Sequence, residues 1–398
     1  MPQWKQYSGI WTPTQQAQAV ADGTWTGIPQ YPIYMWGQAT SGAYGTPSIP
    51  DSTIYSSPVQ VASETLGWNK VTGSENFVTA IKNDGTMWSW GQGNDGALGI
   101  GTTVNTSSPT QIGTDADWVS LGDGWTNGRG VGAIKSNGTL WLWGRNNFGE
   151  LGRNDNAGQS TSPIQLGALT IWSTVAGGNA KVAVRTDGRM FSWGNNGDGQ
   201  LGQNVSTVTD RSSPVQIGSL TSWVKAVSSE DAAFAAIRSD GRLYAWGSGA
   251  NGQLGVNSTI SYSSPVQIGA LTTWANIFGV GKGFFALKTD GTLWTWGDNF
   301  YSQRGNGTNN DVSSPVQVGA LTTWTKVGGS WAASIGMTSD GKAYTWGRGS
   351  EGETGQDTTD TIESPVQLGT ETDWTEVFGG GGSLTWFTGG VREEKNLT

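Results

Sequence analysis

The sequence predicts an all-β fold: a seven-bladed β-propeller of four-stranded blades, closed by N- and C-terminal strands in one shared blade, with a short helical N-terminal arm. Three observations predict it. A Trp-Gly pair recurs seven times, at Trp36, Trp90, Trp143, Trp193, Trp246, Trp296 and Trp346, always 50 to 54 residues apart. A second Trp opens each unit, at Trp68, Trp118, Trp172, Trp223, Trp274, Trp324 and Trp374, and a Ser-Pro-x-Gln element ends it, at Pro58, Pro109, Pro163, Pro214, Pro265, Pro315 and Pro365. A fixed period of this size marks a stacked or circular array of one supersecondary unit. The two chain ends are complementary. Ile33 to Gly37 has no opening half before it, and Trp374 to Phe387 has no Trp-Gly unit behind it. Joined, they complete one blade, and ring closure leaves only short strand edges.

Residues 1–30 form the arm. Thr12-Pro-Thr-Gln15 reads as a capping box with Pro at the first helical position, and Gly23 as a stop, so a helix is expected over roughly 13–21. The propeller is expected over 31–390. One unit shows its strands: Trp274 to Phe278, Phe284 to Lys288, Leu293 to Gly297 and Ser314 to Gly319. Short β-branched and aromatic runs bounded by Gly, Asn, Asp and Ser are strand signals. Asp-Gly or Asn-Gly lies between the second and third strands, at Asp84, Asn137, Asp187, Asp240, Asp290 and Asp340. A two-residue type I′ hairpin is the expected turn. Residues 391–398 are charged and read as a frayed tail.

Composition removes several chemistries. The 398 residues include no Cys and no His, which excludes disulfides, thiolate metal sites, Cys nucleophiles and any Ser-His-Asp triad. Net charge is −9 with no basic cluster, so no nucleic acid is expected as partner. No apolar run approaches the roughly 20 residues of a membrane helix, and no secretory signal is visible. No cofactor or metal is expected. Asn195-Asn-Gly-Asp-Gly199 has a calcium-loop flavour but lacks the closing Glu and coincides with the repeat. The chain reads as non-enzymatic.

The order apolar pair, Asp-Gly, Trp-Gly, Asn-x-x-Gly-x-Leu-Gly, Ser-Pro-Val-Gln resembles the RCC1-type repeat. Trp143 to Gly152, Trp193 to Gly202 and Trp246 to Gly255 are the best copies, while Ser302-Gln-Arg-Gly305 and Gly352-Glu-Thr-Gly355 drift. WD repeats would need His, and kelch repeats a Gly-Gly doublet. The resemblance implies a propeller and a choice of roles: exchange factor, chromatin binder, light sensor or interaction platform. The light-sensor role needs clustered Trp beside Arg. Trp331 falls at that position, with Asp231 and Gly281 at the equivalent places. Separately, Ser8 to Val20 with Trp25 and Pro29 resembles a short segment of tailed-phage virion proteins.

Candidate sites lie where copies differ. The seven Trp-Gly tryptophans and the Asp-Gly carboxylates recur, so they read as structure. The loops between Trp-Gly and Ser-Pro carry Tyr44, Tyr55, Phe148, Tyr262, Phe300 and Tyr301, which would stack on sugars if exposed or fill loop corners if not. The hairpin from Trp118 to Ile134 is longer than its equivalents and adds Trp125, Asn127 and Arg129, types common in binding hot spots. Trp4, Trp11 and Trp25 are candidates for docking the arm to a virion. The leading expectation is a phage-particle protein that contacts other virion proteins or a host-surface glycan. The alternative is a free-standing module for protein–protein interaction, cytoplasmic in the absence of a signal peptide.

Overall fold

The computed structural model describes residues 29–51, 53–61, 67–74, 76–122, 129–204, 209–230, 232–381 and 386–395. The expected helix over 13–21, Trp4, Trp11 and Trp25, and also Trp125 and Asn127, lie outside the described residues. Seven antiparallel four-stranded sheets follow one another around a ring. Their innermost strands are Trp68–Gly73, Trp118–Leu121, Trp172–Ala176, Trp223–Ser228, Trp274–Gly279, Trp324–Gly329 and Trp374–Gly381. These open the first to seventh blades. Each blade's second strand follows, and its third ends on Trp-Gly. The fourth carries Ser-Pro on the outer edge, where a missing N–H costs no ladder bond.

The seventh blade closes the ring. Trp374–Gly381 and Trp386–Arg392 pair in one sheet with Ile33–Gln38 and Ile54–Val61, and Trp36 lies opposite Thr388. The ordered part extends past the expected boundary at 390. Val391 is fully buried, Arg392 bridges to Asp373 at 2.8 Å, and Glu394–Lys395 pairs with Pro29–Gln30. The tail's charge looks solvated in sequence, but its partners face it from the strand connections around Glu371 and Asp373.

The hairpin turns differ from the expected type. Only the Gly takes positive φ (Gly85 +80°, Gly138 +77°, Gly188 +76°), and the Gly N–H bonds back to the strand-end carbonyl three residues earlier. This is a type I turn followed by a left-handed Gly, a longer loop than the two-residue type I′. The Asp carboxylate accepts the N–H two residues on, as Asp84 does from Thr86 at 2.9 Å. That bond favours negative φ at Asp, so Asp and Gly play separate parts.

The joints between blades explain why Trp-Gly and Leu-Gly recur together. All seven Trp-Gly indoles are fully buried. Each Nε1–H donates to a carbonyl in the preceding blade's Leu-Gly loop, at 2.8 to 3.0 Å: Trp36 to Glu353, Trp90 to Ala43, Trp143 to Ala97, Trp193 to Glu150, Trp246 to Gln200, Trp296 to Gln253 and Trp346 to Gln303. The loop's last Gly presses on the same ring. A Cβ on Gly202 would stand 2.7 Å from the Trp246 Nε1, and φ there is +66°. Each opening Trp packs edge-on against an aromatic of its own blade, as Trp223 does on Tyr244 at 5.3 Å.

Candidate interaction face

Each innermost strand runs from the Asp-Gly turns on one face of the disc to the opposite face. That second face carries the turns after the first strands and the loops after Trp-Gly. The loop aromatics named from sequence divide there by what they fill. Tyr44 is not exposed. It stands in the place of the repeat Leu, is 3% accessible, and donates its hydroxyl to the Gly37 carbonyl at 2.6 Å. Tyr55, on a strand, meets its ring edge at 5.3 Å. This pair is joint packing, not a sugar platform. Tyr262 begins an outer strand and is half-buried against the cluster around Trp274 and Trp296. Phe148 is half-buried under the Arg145 guanidinium at 5.4 Å. Arg129 pairs with Asp95 at 3.0 Å.

Phe300 and Tyr301 are different. Phe300 is 71% accessible, the highest value among the exposed large hydrophobics of the described residues. Its ring meets Tyr301 edge-on at 4.9 Å. Tyr301 then meets Trp331 at 5.7 Å and Trp386 at 6.2 Å, and those two indoles lie 5.4 Å apart. The Arg348 guanidinium sits 4.5 Å from the Trp386 ring and 5.6 Å from that of Tyr301. The Lys282 ammonium is 5.5 Å from Trp331. Edge-on aromatic pairs and cation–π contacts at these separations are attractive. Three blades, the fifth, sixth and seventh, thus contribute to one platform.

Local sequence explains the platform. Trp331 lies in the turn Gly329-Ser-Trp-Ala, and the Gly281 backbone leaves room for it: a Cβ there would come within 3.0 Å of the Trp331 carbonyl, at φ +51°. Gly281, which reads in sequence as a missing aromatic, is the cradle for one. Arg304 occupies the repeat Leu position and is fully buried. Its Nε–H donates to the Asp298 carbonyl at 3.0 Å and its Nη2–H to that of Val280 at 2.8 Å, with the guanidinium 4.9 Å from the Phe285 ring. Burial lowers it to about 10, so it stays charged at neutral pH. It ties the 298–304 loop to the 280–283 turn. Arg348 is fixed by Glu351 at 2.8 Å and by the buried Glu353 at 3.5 Å. Burial pushes the Glu353 carboxyl above its ordinary range.

Sequence reasoning missed Trp386 and Arg348. Trp386 falls outside the repeat pattern because the seventh blade's first strand, Trp374–Gly381, is longer than its equivalents. Arg348 follows Trp-Gly, where Gln, Arg, Asn, Ser and Asp stand in other copies, so nothing marked it. Among the described residues, no cluster of three or more acidic side chains could hold a metal ion, and no helix is long and apolar enough to cross a membrane. The carboxylates that gather, Glu371, Asp373 and Glu394, do so around Arg392.

A family model described as the RCC1-like domain matches residues 125–387, more than half the chain, and one for the regulator of chromosome condensation (RCC1) repeat matches 84–126. The ultraviolet-B receptor UVR8 of Arabidopsis thaliana is 30% identical over 246 residues, 60% of this chain and 54% of the receptor. The human E3 ubiquitin-protein ligase HERC2 is 31% identical over 130 residues, 32% of this chain and 3% of the ligase. The chain therefore spans about half of the receptor's length and a small part of the ligase's. Among solved structures, Prp20p of Saccharomyces cerevisiae superposes with a TM-score of 0.76 at 20% identity, covering 93% of both chains. Human WBSCR16 gives 0.76 at 18% identity, covering 93% of this chain and 100% of the other. At these identities the likeness shows the fold.

Proposed function

The chain belongs to the RCC1-like domain family, and from that premise we propose that it is a non-catalytic protein–protein interaction module whose partner docks on the platform of Phe300, Tyr301, Trp331 and Arg348, which rests on the buried Trp386. The carrying observation is the convergence of three aromatic rings and an arginine on Tyr301, one of the rings being a Phe that is 71% exposed. Aromatic and Arg side chains dominate hot spots, and a contiguous exposed apolar patch on a stable monomer commonly marks an interface. The binding of Gsp1p and histones described for Prp20p is consistent with a protein partner. The virion reading, with neighbouring virion subunits or a host glycan as partner, rests on residues 8–29 and draws nothing from these relatives.

Capture from lysate by the immobilised chain, quantified with the purified partner, tests the proposal. Phe300→Ala combined with Trp331→Ala is expected to lose at least about 2 kcal/mol of binding, roughly thirtyfold. Leu271→Ala, an exposed residue on the Asp-Gly face, is expected to change nothing. Equal capture by both variants would remove the platform from the reading. A glycan-array signal that depends on the same residues would replace the protein partner by a sugar.

One observation favours a second reading, ultraviolet perception: Trp331 and Trp386 lie 5.4 Å apart beside Arg348, as the light-sensor role requires. Irradiation near 300 nm should then change tryptophan emission or oligomeric state in the wild type and not in Trp386→Phe. No light-dependent change would exclude it.

A further inference from the structure

The axial cavity carries a second site, separate from the aromatic platform. In all seven innermost strands the register skips between the opening Trp and the residue two places on. Such a bulge re-aims a side chain. The residues placed there are Lys70, Ser120, Thr174, Lys225, Asn276, Lys326 and Glu376. Six of them, all but Thr174, line a cavity of about 310 Å³. A chain of net charge −9 thus sets three ammonium groups and one carboxylate around this mouth.

The other end of the cavity is built from glycine. A Cβ on Gly279 would stand 1.7 Å from the Ser228 carbonyl oxygen, and one on Gly73 2.5 Å from that of Gly379. A Cβ on Gly379 would stand 2.2 Å from the Gly329 carbonyl carbon. Neighbouring backbones touch there. At the lysine end, side chains span the gaps: Lys70 donates to the Val119 carbonyl at 2.8 Å, and Lys326 pairs with Glu376. The space therefore tapers from a cationic mouth to a narrow glycine floor. Its wall mixes backbone polar groups with the edges of Leu121 and Phe278, while Val227 and Ile277 are fully buried in the joints between blades. The Lys225 ammonium lies 5.1 Å from the Phe278 ring centroid, at the seam between charge and wall.

The geometry points to this cavity as a binding site for a small organic dianion: a phosphate or dicarboxylate head held by Lys70, Lys225 and Lys326, with a small body seated beside Phe278. The size suits it, since small-molecule pockets begin at about 300 Å³. The bond from Lys70 to a carbonyl leaves its charge in place. Among the described lining residues Glu376 is the one opposing charge, and it is mostly buried against Lys326.

Isothermal titration of the full chain with phenyl phosphate, and in parallel with inorganic phosphate, tests the site. The site is expected to bind phenyl phosphate saturably and more tightly than inorganic phosphate, with affinity falling as salt rises. Lys70→Met with Lys225→Met should weaken it at least about tenfold, the scale of one charge-assisted hydrogen bond. Glu376→Gln removes the negative charge that pairs with Lys326 and should tighten it about threefold or more, a gain that a purely structural role for the ring would not give. No saturable binding at millimolar phenyl phosphate would overturn the proposal. So would equal affinity in the wild type and the double lysine variant, or inorganic phosphate binding as tightly as phenyl phosphate. If the double variant fails to fold, the Glu376→Gln titration still decides.

Discussion

The joint between the third and fourth blades and the sector formed by the fifth to seventh blades use the same loop for different ends. At the first, Gln200-Leu201-Gly202 follows the repeat, with Leu201 buried and the Gln200 carbonyl accepting from Trp246. In the second, Gln303-Arg304-Gly305 and Glu353-Thr354-Gly355 keep the carbonyl and the glycine but replace the leucine. The indole hydrogen bond survives in both, so the mechanical joint tolerates a change at the leucine position. Arg304, at one freed position, ties the loop that presents Tyr301 to the turn beneath Trp331. Joint positions can be exchanged for face positions only where the carbonyl and glycine are left alone.

Breaking a joint should have the largest effect. Trp193→Ala removes a fully buried indole and its bond to the Glu150 carbonyl. It is expected to cost about 3–5 kcal/mol by chemical denaturation. Gly202→Ala should follow, at about 2 kcal/mol or more, because φ is +66° and the new methyl meets Trp246. Face variants should invert this pattern: Phe300→Ala is expected to leave stability within about 0.5 kcal/mol while lowering partner affinity. If Phe300→Ala destabilised the chain as much as Trp193→Ala, the division between joint and face would fail.

A buried charge sharpens the comparison. Lys181 lies fully buried, and its ammonium donates to the Gly130 carbonyl at 2.5 Å and to that of Gly177. Burial lowers it to about 7 from an ordinary 10.5. Between these values the unfolded chain binds more protons, so stability should rise with pH across that window, by at most about 1.4 kcal/mol per unit. Glu150 beside it is pushed upward by burial and acts in the opposite sense at acid pH, losing stability as pH climbs through the carboxylate range. The difference in unfolding midpoint between the wild type and Lys181→Met, followed from pH 7 upward, isolates the lysine. The smallest effect is expected from Arg129→Ala. Its pair with Asp95 is partly exposed, and such a pair contributes about 0–1 kcal/mol.

Much of this was legible in the sequence because the repeated parts interact with their neighbours' equivalents. The blade shared by Ile33 to Gly37 and Trp374 to Phe387 could be read from the half-units at the two chain ends, and each Trp-Gly implied a buried indole. The turn type was not legible, because Asp84 uses its side chain on Thr86 in a way that Asp-Gly alone does not distinguish from type I′. Phe300 and Tyr301 could be singled out as deviations from the repeat. Trp386 and Arg348 could not, since their significance comes from an adjacency across the ring closure. Tyr44 misled for the reverse reason: its loop looked variable, but it fills a repeat slot. The lysine ring went unseen because its successive members are about 100 to 155 residues apart and only the bulges bring them to one mouth.

Hydrogen exchange of the chain with its captured partner bears most directly on the division between joint and face. Protection is expected in segments 279–283, 298–304, 329–333, 346–352 and 386–388, with the Asp-Gly turns unchanged. Protection confined to the Asp-Gly turns, or spread evenly over all seven blades, would contradict it.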